Sequence, residues 1–368
     1  MLRSPPFKAF LLSRTILFII IYATLVFLPV RNGKGFWRGF PNNRFLDGWA
    51  RFDSGWYAGI AKNGYKNIPT GKGQDTNFFP MYPILMRVVG KVTGDVFLAG
   101  IIVSNIFFLF ALFGLYKLVL TKYGPNIAEK TVYVLAFNPF SFYFSAAYAE
   151  AVFLFFLIFA FYFCERERYL LAALFAAGAG ATRNLGIFAF VGTGLVAFQK
   201  AGYDWRRLKR KMFYLIVGMS GSLAYMMCLG IRFHDPFLFI HAQHAWGPFF
   251  QLNIFTDIYK NLLLGSLAPW KQAILVFFHI FLGVFTLLLL WKGRKALPLP
   301  YLIFSILLII PGFMRLTSLG RYLMVVLPIY ILLAEIIRTS WKFRMFLFIE
   351  GALMVLCATL FSHWYWVA

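Results

Sequence analysis

A carboxylate surrounded by aromatic side chains lies in the first long polar segment of the chain. The segment contains the sequence Asp47-Gly-Trp-Ala-Arg-Phe-Asp-Ser-Gly-Trp-Tyr-Ala-Gly-Ile-Ala-Lys-Asn-Gly-Tyr65. This composition predicts one helix that is capped by Asp47 and ends at Gly64. Helical spacing then places Asp53 on one face with Trp56 and Tyr57. A carboxylate among apolar groups costs free energy unless it is paired or used, so Asp53 is a candidate functional residue. The alternative is a solvated loop aspartate.

Two arginines at predicted helix ends are candidates for binding an anion. Arg183 lies in Ala-Thr-Arg-Asn-Leu-Gly and Arg321 lies in Ser-Leu-Gly-Arg-Tyr, each next to an apolar run. If both faced inward, their planar guanidinium groups would form a cradle for a phosphate. The alternative is that each side chain extends to the membrane surface and binds nothing. Arg51 is expected to pair with Asp47, four residues before it, rather than with Asp53.

A second polar segment contains a group of residues suited to binding a sugar. It includes the sequence Phe233-His-Asp-Pro-Phe-Leu-Phe-Ile-His-Ala-Gln-His-Ala-Trp-Gly247. His241 and His244 have the spacing of two metal ligands on a helix, but no third ligand follows, so we predict no metal site. Gln243 and Trp246 share a helical face, which would place an amide beside a flat aromatic ring.

The elements that must hold these residues are membrane-spanning helices. The 368 residues are 61% hydrophobic and 13% charged. A soluble domain averages about 45–50% apolar residues and about 25% charged residues. Apolar runs at 10–30, 96–120, 212–231 and 273–291 are each long enough to cross a bilayer. A water-soluble enzyme, a secreted scaffold and a disordered tail are therefore excluded. The sequence predicts an all-α polytopic membrane protein.

The distribution of positive charge predicts how the chain crosses the membrane. A net charge of +23 would suit a protein that binds nucleic acid. The lysines and arginines, however, concentrate in short segments next to apolar runs. We expect the segment that contains Lys8 and Arg14 to be one of these basic segments. Such segments stay on the cytoplasmic side, which predicts a cytoplasmic N-terminus, about eleven helices, and a lipid rather than a nucleic-acid partner. The predicted spans are 10–30, 96–118, 131–147, 150–164, 169–182, 185–198, 212–231, 272–291, 298–314, 321–337 and 345–363. The four short ones between 131 and 198 are candidate re-entrant segments.

Two polar segments are longer than a connection requires. They cover residues 31–95, the first polar segment, and residues 232–270, the second polar segment, and the charge count places both on the extracytoplasmic face. Functional residues concentrate in loops held by a rigid scaffold. We therefore expect a single integral-membrane domain over 1–368, with amphipathic helices and the catalytic carboxylate in the first polar segment. Both segments are expected to close over one pocket.

Six groups of residues occur in order between about residue 47 and residue 330. They are Arg-Phe-Asp53-Ser-Gly-Trp-Tyr with Ile-Ala-Lys-Asn-Gly-Tyr65, Phe78-Phe-Pro-Met-Tyr-Pro83, Asn138-Pro139 with Tyr148-Ala-Glu150-Ala-Val-Phe153, Thr182-Arg-Asn-Leu-Gly186, Asp235-Pro236 with Gln243 and Trp246, and Arg321-Tyr322 with Pro328. At these positions the sequence resembles the PIG-V family, the relatives of GPI mannosyltransferase 2, and in particular its shorter prokaryotic members. Phe52 departs from the tryptophan that is usual in the family, a conservative change beside Asp53.

The resemblance implies a GT-C glycosyltransferase of the plasma (inner) membrane, with its active site on the extracytoplasmic face. Such an enzyme transfers a sugar, typically mannose, from a polyprenyl-phosphate donor to a glycan or glycolipid acceptor, usually without a metal, so no cofactor is expected. Asp53 would be the catalytic base, and Arg183 and Arg321 would hold the leaving phosphate. The residues assigned to substrate binding are Trp56, Tyr57, Tyr82, Glu150, Asp235, His241, Gln243 and Trp246.

Two other functions fit the same sequence. One is a transporter or flippase of lipid-linked intermediates, against which the chain shows no inverted repeat and no inward charged pair in the middle of a span. The other is a GT-C relative that transfers a different lipid-linked sugar. Product formation from a polyprenyl-phosphate sugar separates the enzymes from the transporter.

Overall fold

In a computed structural model of the protein, the described residues are 4–32, 36–66, 75–243, 268–337 and 339–367, with the side chains of 209–213 and 268–272 excluded. The helices are α1 (Pro5–Phe27), α2 (Arg44–Asp47), α3 (Ser54–Asn63), α4 (Met81–Thr93), α5 (Val96–Phe137), α6 (Glu150–Glu165), α7 (Tyr169–Thr182), α8 (Ile187–Lys200), α9 (Trp205–Ile216), α10 (Ser220–Phe233), α11 (Leu238–His241), α12 (Ala268–Lys292), α13 (Leu299–Met314), α14 (Leu319–Leu323), α15 (Leu327–Ile336) and α16 (Ser340–Ser362).

Apolar helices long enough to cross a membrane form the frame of the fold. Within the described ranges there are five, and a sixth crossing is formed if a pair bent by 118° counts as one span. The five are Pro5–Phe27, Val96–Phe137, Tyr214–Phe233, Ala273–Lys295 and Ser340–Ser362, and the bent pair is Leu299–Met314 with Leu316–Leu323. Shorter apolar helices, among them α7 and α15, lie between them. Many large apolar side chains are exposed on the outer surface, which indicates contact with lipid. The expected polytopic helical bundle is confirmed.

Several of the expected spans have different bounds in the structure, and the span expected at 321–337 is divided into α14 and α15. The spans expected at 96–118 and 131–147 belong to α5, which is interrupted at Gly124, where φ is +79° and Pro125 follows. Glycine adopts this left-handed conformation without a steric penalty, and proline cannot donate a helical hydrogen bond, so the chain bends there. After α5 ends at Phe137, residues 138–149 form an irregular segment that contains the 3₁₀ turn Ser141–Phe144.

The first polar segment folds into short helices rather than one long one. The single helix expected from Asp47 to Gly64 is wrong, because the Asp47 carboxylate accepts hydrogen bonds from Arg51 (2.6 Å) and from the Phe40 amide (3.2 Å) instead of capping a helix. The Arg51–Asp47 pair itself is as expected. α3 begins at Ser54 and ends where predicted, at Gly64, whose φ of +74° lets its N–H donate to Ile60.

α3 and α4 pack against the end of the helical bundle. Their apolar side chains form a cluster of their own with residues of α5, α6 and α10, separate from the main core. Tyr57 and Tyr82 pack edge to face within it, at 5.0 Å between ring centroids. The first polar segment is therefore a fixed layer on one end of the bundle, with α3 buried on one side and facing a cavity on the other.

Arg14 lies inside the bundle and not in a basic cytoplasmic segment as the charge pattern suggested. It is 2% exposed, and its guanidinium group donates to the carbonyl oxygens of Ala136 and Ser141, both at 2.9 Å, and to the Ser145 hydroxyl at 3.0 Å. Carbonyl groups at the end of a helix carry partial negative charge, which compensates a buried cation. Arg14 thus fixes the irregular segment 138–149 that leads to Glu150.

Candidate active site

The backbone beside Asp53 is held in an unfavourable conformation by aromatic packing. Phe52 has φ of +48°, a left-handed conformation that costs a residue with a side chain about 1–3 kcal/mol. Its ring contacts Trp364 and Trp366, with centroids 5.0 and 5.2 Å away. The Asp53 amide donates to the Tyr148 hydroxyl at 3.1 Å. These contacts place Asp53 at the N-terminus of α3, where its carboxylate makes no capping hydrogen bond and faces the cavity.

Four charged residues from distant parts of the sequence form one ionic cluster, made of Asp53, Glu150, Arg183 and Arg321. Arg321 donates to Asp53 Oδ2 at 2.7 Å through Nη1 and to Glu150 Oε1 at 2.6 Å through Nη2. Arg183 Nη1 donates to the same Glu150 oxygen at 2.6 Å. The cluster contains two carboxylates and two guanidinium groups, so its formal charges cancel. Such compensation allows charged groups to be buried.

The helix ends determine where the cluster forms. Glu150 is the first residue of α6, Arg183 directly follows α7, and Arg321 lies on α14, just beyond the bend after α13. Glu150 is fully buried, and its Oε2 atom has no hydrogen-bond partner. The guanidinium carbon of Arg321 lies 5.1 Å from the ring centroids of Tyr143 and Tyr148. Their π faces attract the cation and exclude water from its inner side.

A cavity of about 530 Å³ opens in front of the cluster. Asp53, Arg183 and Arg321 line it, whereas Glu150 lies behind the two arginines. The side chains of Asp53 and Arg183 are 15% and 12% exposed, so both reach the cavity without being freely solvated. The arrangement presents one carboxylate and two cations to a bound molecule, a combination that can accept a proton and stabilise developing negative charge.

The remaining predicted site residues divide into three groups. Trp56, Tyr57 and Gln243 line the cavity. Tyr82, Asp235 and His241 do not line it. The Tyr82 hydroxyl donates to the Gly100 carbonyl inside the bundle at 3.0 Å. Asp235 and His241 pair with each other near the surface at 2.7 Å. Trp246 lies outside the described residues, as does His244. The roles assigned to all of these residues, and to the ionic cluster, stay predictions.

Several cavity residues were not singled out by the sequence. Arg315 follows α13 and donates to the Gln243 carbonyl at 2.9 Å, joining the start of the second polar segment to the bend that carries Arg321. Trp364 and Trp366 come from the C-terminal end of the chain. The only available signal was the aromatic composition of His-Trp-Tyr-Trp at 363–366, which is also typical of a membrane interface.

Burial affects one titratable group of the cavity wall. It raises the pKa of the Tyr57 phenol above its usual range, with the nearby Glu150 acting in the same direction. The hydroxyl is therefore protonated at physiological pH and can act as a hydrogen-bond donor. In the part of the chain that the structure describes, no three His, Cys, Asp or Glu side chains are grouped as metal ligands.

The charge balance of the cluster predicts a stability effect for Glu150→Gln. This change preserves the side-chain volume but leaves two guanidinium groups sharing one carboxylate. Removing one partner of a buried ion pair costs about 3–5 kcal/mol, so we expect a clear drop in the melting temperature of the purified protein in detergent. Glu129→Gln, a change at an exposed position of α5, is the control. Equal melting temperatures for the two variants would contradict the role given to Glu150.

The overall fold is found in two membrane proteins of known structure. The oligosaccharyltransferase of Archaeoglobus fulgidus has a TM-score of 0.56 and 15% identity, over 99% of this chain and 54% of its own. ArnT from Cupriavidus metallidurans, solved bound to undecaprenyl phosphate, has a TM-score of 0.53 and 16% identity, over 94% of this chain and 63% of its own. This chain therefore spans less than two-thirds of either protein. The fold is the GT-C fold of polytopic membrane glycosyltransferases.

The sequence also matches one protein family. Residues 38–244, more than half of the chain, match the family model described as mannosyltransferase (PIG-V). The chain belongs to this family, which confirms the resemblance seen in its motifs. No curated protein matches the sequence.

Proposed function

We propose that the protein transfers a mannosyl group from a polyprenyl-phosphate mannose to a hydroxyl group of an extracytoplasmic glycan or glycolipid, with inversion at the anomeric carbon. The observation that carries the proposal is the contact between Asp53 and Arg321, 2.7 Å apart on the wall of one cavity. Arg183 joins them through Glu150. A base and two cations at one site match what a single displacement of a phosphate requires.

The reaction needs only one proton transfer to the protein. The acceptor oxygen attacks the anomeric carbon while the bond from that carbon to the phosphate oxygen breaks. The acceptor proton moves to the Asp53 carboxylate, and the bonding electrons leave with the polyprenyl phosphate. Because a lipid phosphate is a good leaving group, no separate general acid is required. Arg183 and Arg321 stabilise the charge that develops on the phosphate.

Three observations support a lipid phosphate as the leaving group. The guanidinium groups of Arg183 and Arg321 each keep N–H groups beyond those that bond Asp53 and Glu150, and these planar donors suit the recognition of phosphate oxygens. Arg183 directly follows the apolar helix α7 and Arg321 lies beyond the bend that ends α13, so a lipid tail can extend between the helices while its phosphate stays at the membrane surface. ArnT, which shares the fold, was solved with undecaprenyl phosphate bound.

The opposite end of the bundle supports an extracytoplasmic active site. There Glu165 is contacted by Lys122, by Lys200 at 3.6 Å and by the Tyr301 hydroxyl at 2.9 Å. These contacts bring several short basic connections of the chain together at one end. Positive residues in short connections mark the cytoplasmic side of a membrane protein, so the cavity belongs to the other side. We place that side outside the plasma (inner) membrane.

The two polar segments contribute to the same cavity in the proposed enzyme. Asp53 and Trp56 come from the first segment and Gln243 from the second. The acceptor would approach between them from water, opposite the lipid phosphate. An ionised aspartate is much less costly at this surface position than in the middle of a span, which explains why the reactive groups gather at the helix ends. A single catalytic domain over 1–368 is part of this proposal.

A turnover assay tests the proposed function. The purified full chain is incubated in lipid vesicles with radiolabelled polyprenyl-phosphate mannose and a mixture of glycan and glycolipid acceptors. We expect label in an acceptor and release of polyprenyl phosphate, with the new glycosidic bond inverted relative to the donor by NMR. Movement of the donor across the bilayer without a labelled product would overturn the proposal in favour of a flippase. Transfer only from donors with other sugars would overturn the assignment of mannose.

A further inference from the structure

Asn77 presents an unpaired amide group on the cavity wall. It ends the 3₁₀ turn Asp75–Asn77 and lines the cavity together with Asp53 and Trp56. Its side-chain oxygen and nitrogen are both shielded from solvent and neither has a hydrogen-bond partner. A buried polar group left without a partner costs about 1–3 kcal/mol, so an amide retained at such a position is expected to bind something that enters the cavity.

The backbone on both sides of Asn77 is fixed by tyrosines from other parts of the chain. The Tyr225 hydroxyl donates to the Thr76 carbonyl at 2.7 Å, and the Tyr65 hydroxyl donates to the Phe78 carbonyl at 2.6 Å. All of these residues except Asn77 itself are at least 90% buried. The backbone that carries Asn77 is therefore rigid, and a ligand has only to turn the side-chain amide toward the cavity in order to bind it.

A flat aromatic surface lies beside the amide. The rings of Trp56 and Phe78 are stacked, with centroids 5.8 Å apart and planes inclined by 12°. Trp56 follows Asp53 by one helical turn of α3, so the same element carries the proposed base and the aromatic surface. Aromatic faces attract the weakly positive C–H groups of a sugar ring, as they attract other positive edges.

We propose that Asn77 is a specificity-determining residue that binds two adjacent hydroxyl groups of the transferred hexose, with Trp56 against the sugar ring. The inference rests on the proposed function and deepens it. A carboxamide offers an acceptor and two donors in one plane, which matches one hydroxyl that donates and a neighbouring one that accepts. A phosphate fits less well, because the amide oxygen would face phosphate oxygens. The phosphate belongs with Arg183 and Arg321. Asp53 connects this phosphate site to the proposed sugar site, because it contacts Arg321 and directly precedes the helix that carries Trp56.

Asn77→Ala tests which hydroxyl groups the amide recognises. The probes are polyprenyl-phosphate mannose and four analogues that each lack the hydroxyl at carbon 2, 3, 4 or 6. We expect the wild-type protein to prefer mannose over two adjacent deoxy analogues by about 10- to 100-fold in kcat/KM. Asn77→Ala should lose most of this preference at those two positions and keep it at the others. The same preference profile in both proteins would overturn the inference.

Asn77→Leu separates ligand binding from a structural role. Leucine has a similar shape and leaves no unpaired polar atom, so the melting temperature of the purified protein should stay the same or rise, while kcat/KM falls about 10-fold or more. Asn105→Leu is the matched control. The Asn105 amide donates to Ile101 at 2.8 Å and accepts from Ser145 at 2.8 Å, so its loss should lower the melting temperature. An equal decrease in both variants would assign Asn77 to the structure and overturn the inference.

The two proposals fail in different ways in these assays. If the wild-type protein transfers no mannose, the proposed function is wrong and the sugar subsite falls with it. If transfer depends on Asp53 but Asn77→Ala keeps the full preference profile, the proposed function stands and the assignment of Asn77 is wrong.

Discussion

Replacing Asp53 by asparagine is expected to lower kcat by about 10²–10⁴ while the protein stays folded. Asparagine has almost the same volume and can still accept the hydrogen bond that Arg321 donates to Asp53. It cannot take up the proton of the attacking hydroxyl. The loss should therefore appear in kcat, with little change in the KM for the donor lipid, because the phosphate is held by the arginines. The measurement is the initial rate of mannosyl transfer by purified wild-type and variant proteins.

Asp204→Asn provides the matched control for this prediction. Asp204 caps α9 through a hydrogen bond from the Arg206 amide at 2.8 Å, and it lies away from the cavity. Asparagine is an equally good helix cap, so transfer should proceed at the wild-type rate. A rate in Asp53→Asn close to that of Asp204→Asn would show that another group accepts the proton. Asp47 is a poor substitute, because it is buried and paired with Arg51. Asp235 is a poor substitute as well, because it pairs with His241 and does not line the cavity.

Composition and motif spacing were sufficient to predict the class of fold and the main charged residues. Apolar runs define helices whatever their tertiary partners are, and α7 lies at the residues predicted for it. Asp53 was selected because a carboxylate among apolar groups is costly unless it is paired or used, and Arg183 and Arg321 were selected because they lie at predicted helix ends. Glu150 was selected through the family resemblance. Its position behind both arginines depends on contacts across 33 and 171 residues of sequence, which no local pattern specifies.

Other features of the site could not be predicted because their cause lies in tertiary contacts. The chain turns before Asp53 because the aromatic residues at the C-terminal end hold Phe52 in a left-handed conformation, and helix propensity alone favoured a continuous helix. Arg14 looked like part of a cytoplasmic basic segment, since the carbonyl groups that accept its hydrogen bonds lie more than 120 residues away. Asn77 was not singled out, because the absence of hydrogen-bond partners for an amide is visible only in three dimensions.

Arg321→Lys is expected to reduce kcat by about 10²–10³, and Arg183→Lys is expected to reduce it less. Arg321 makes three hydrogen bonds to two carboxylates in two directions, from Nε, Nη1 and Nη2. A lysine has a single charged nitrogen and cannot reproduce that geometry. Arg183 makes one such bond, to Glu150, which a lysine can replace in part. The test compares both variants with Arg344→Lys, a change at an exposed position on α16.

Inhibition by the product separates phosphate binding from a purely structural role for Arg321. If Arg321 only kept Asp53 in place, Arg321→Lys would lose turnover but bind polyprenyl phosphate as tightly as the wild type. If Arg321 holds the leaving phosphate, the inhibition constant for added polyprenyl phosphate should rise about 10-fold or more, since a charge-assisted bidentate contact contributes about 1.5–3 kcal/mol. We expect the second result, with a smaller rise for Arg183→Lys. An unchanged inhibition constant in both variants would remove the arginines from the phosphate site and leave them as supports for Asp53.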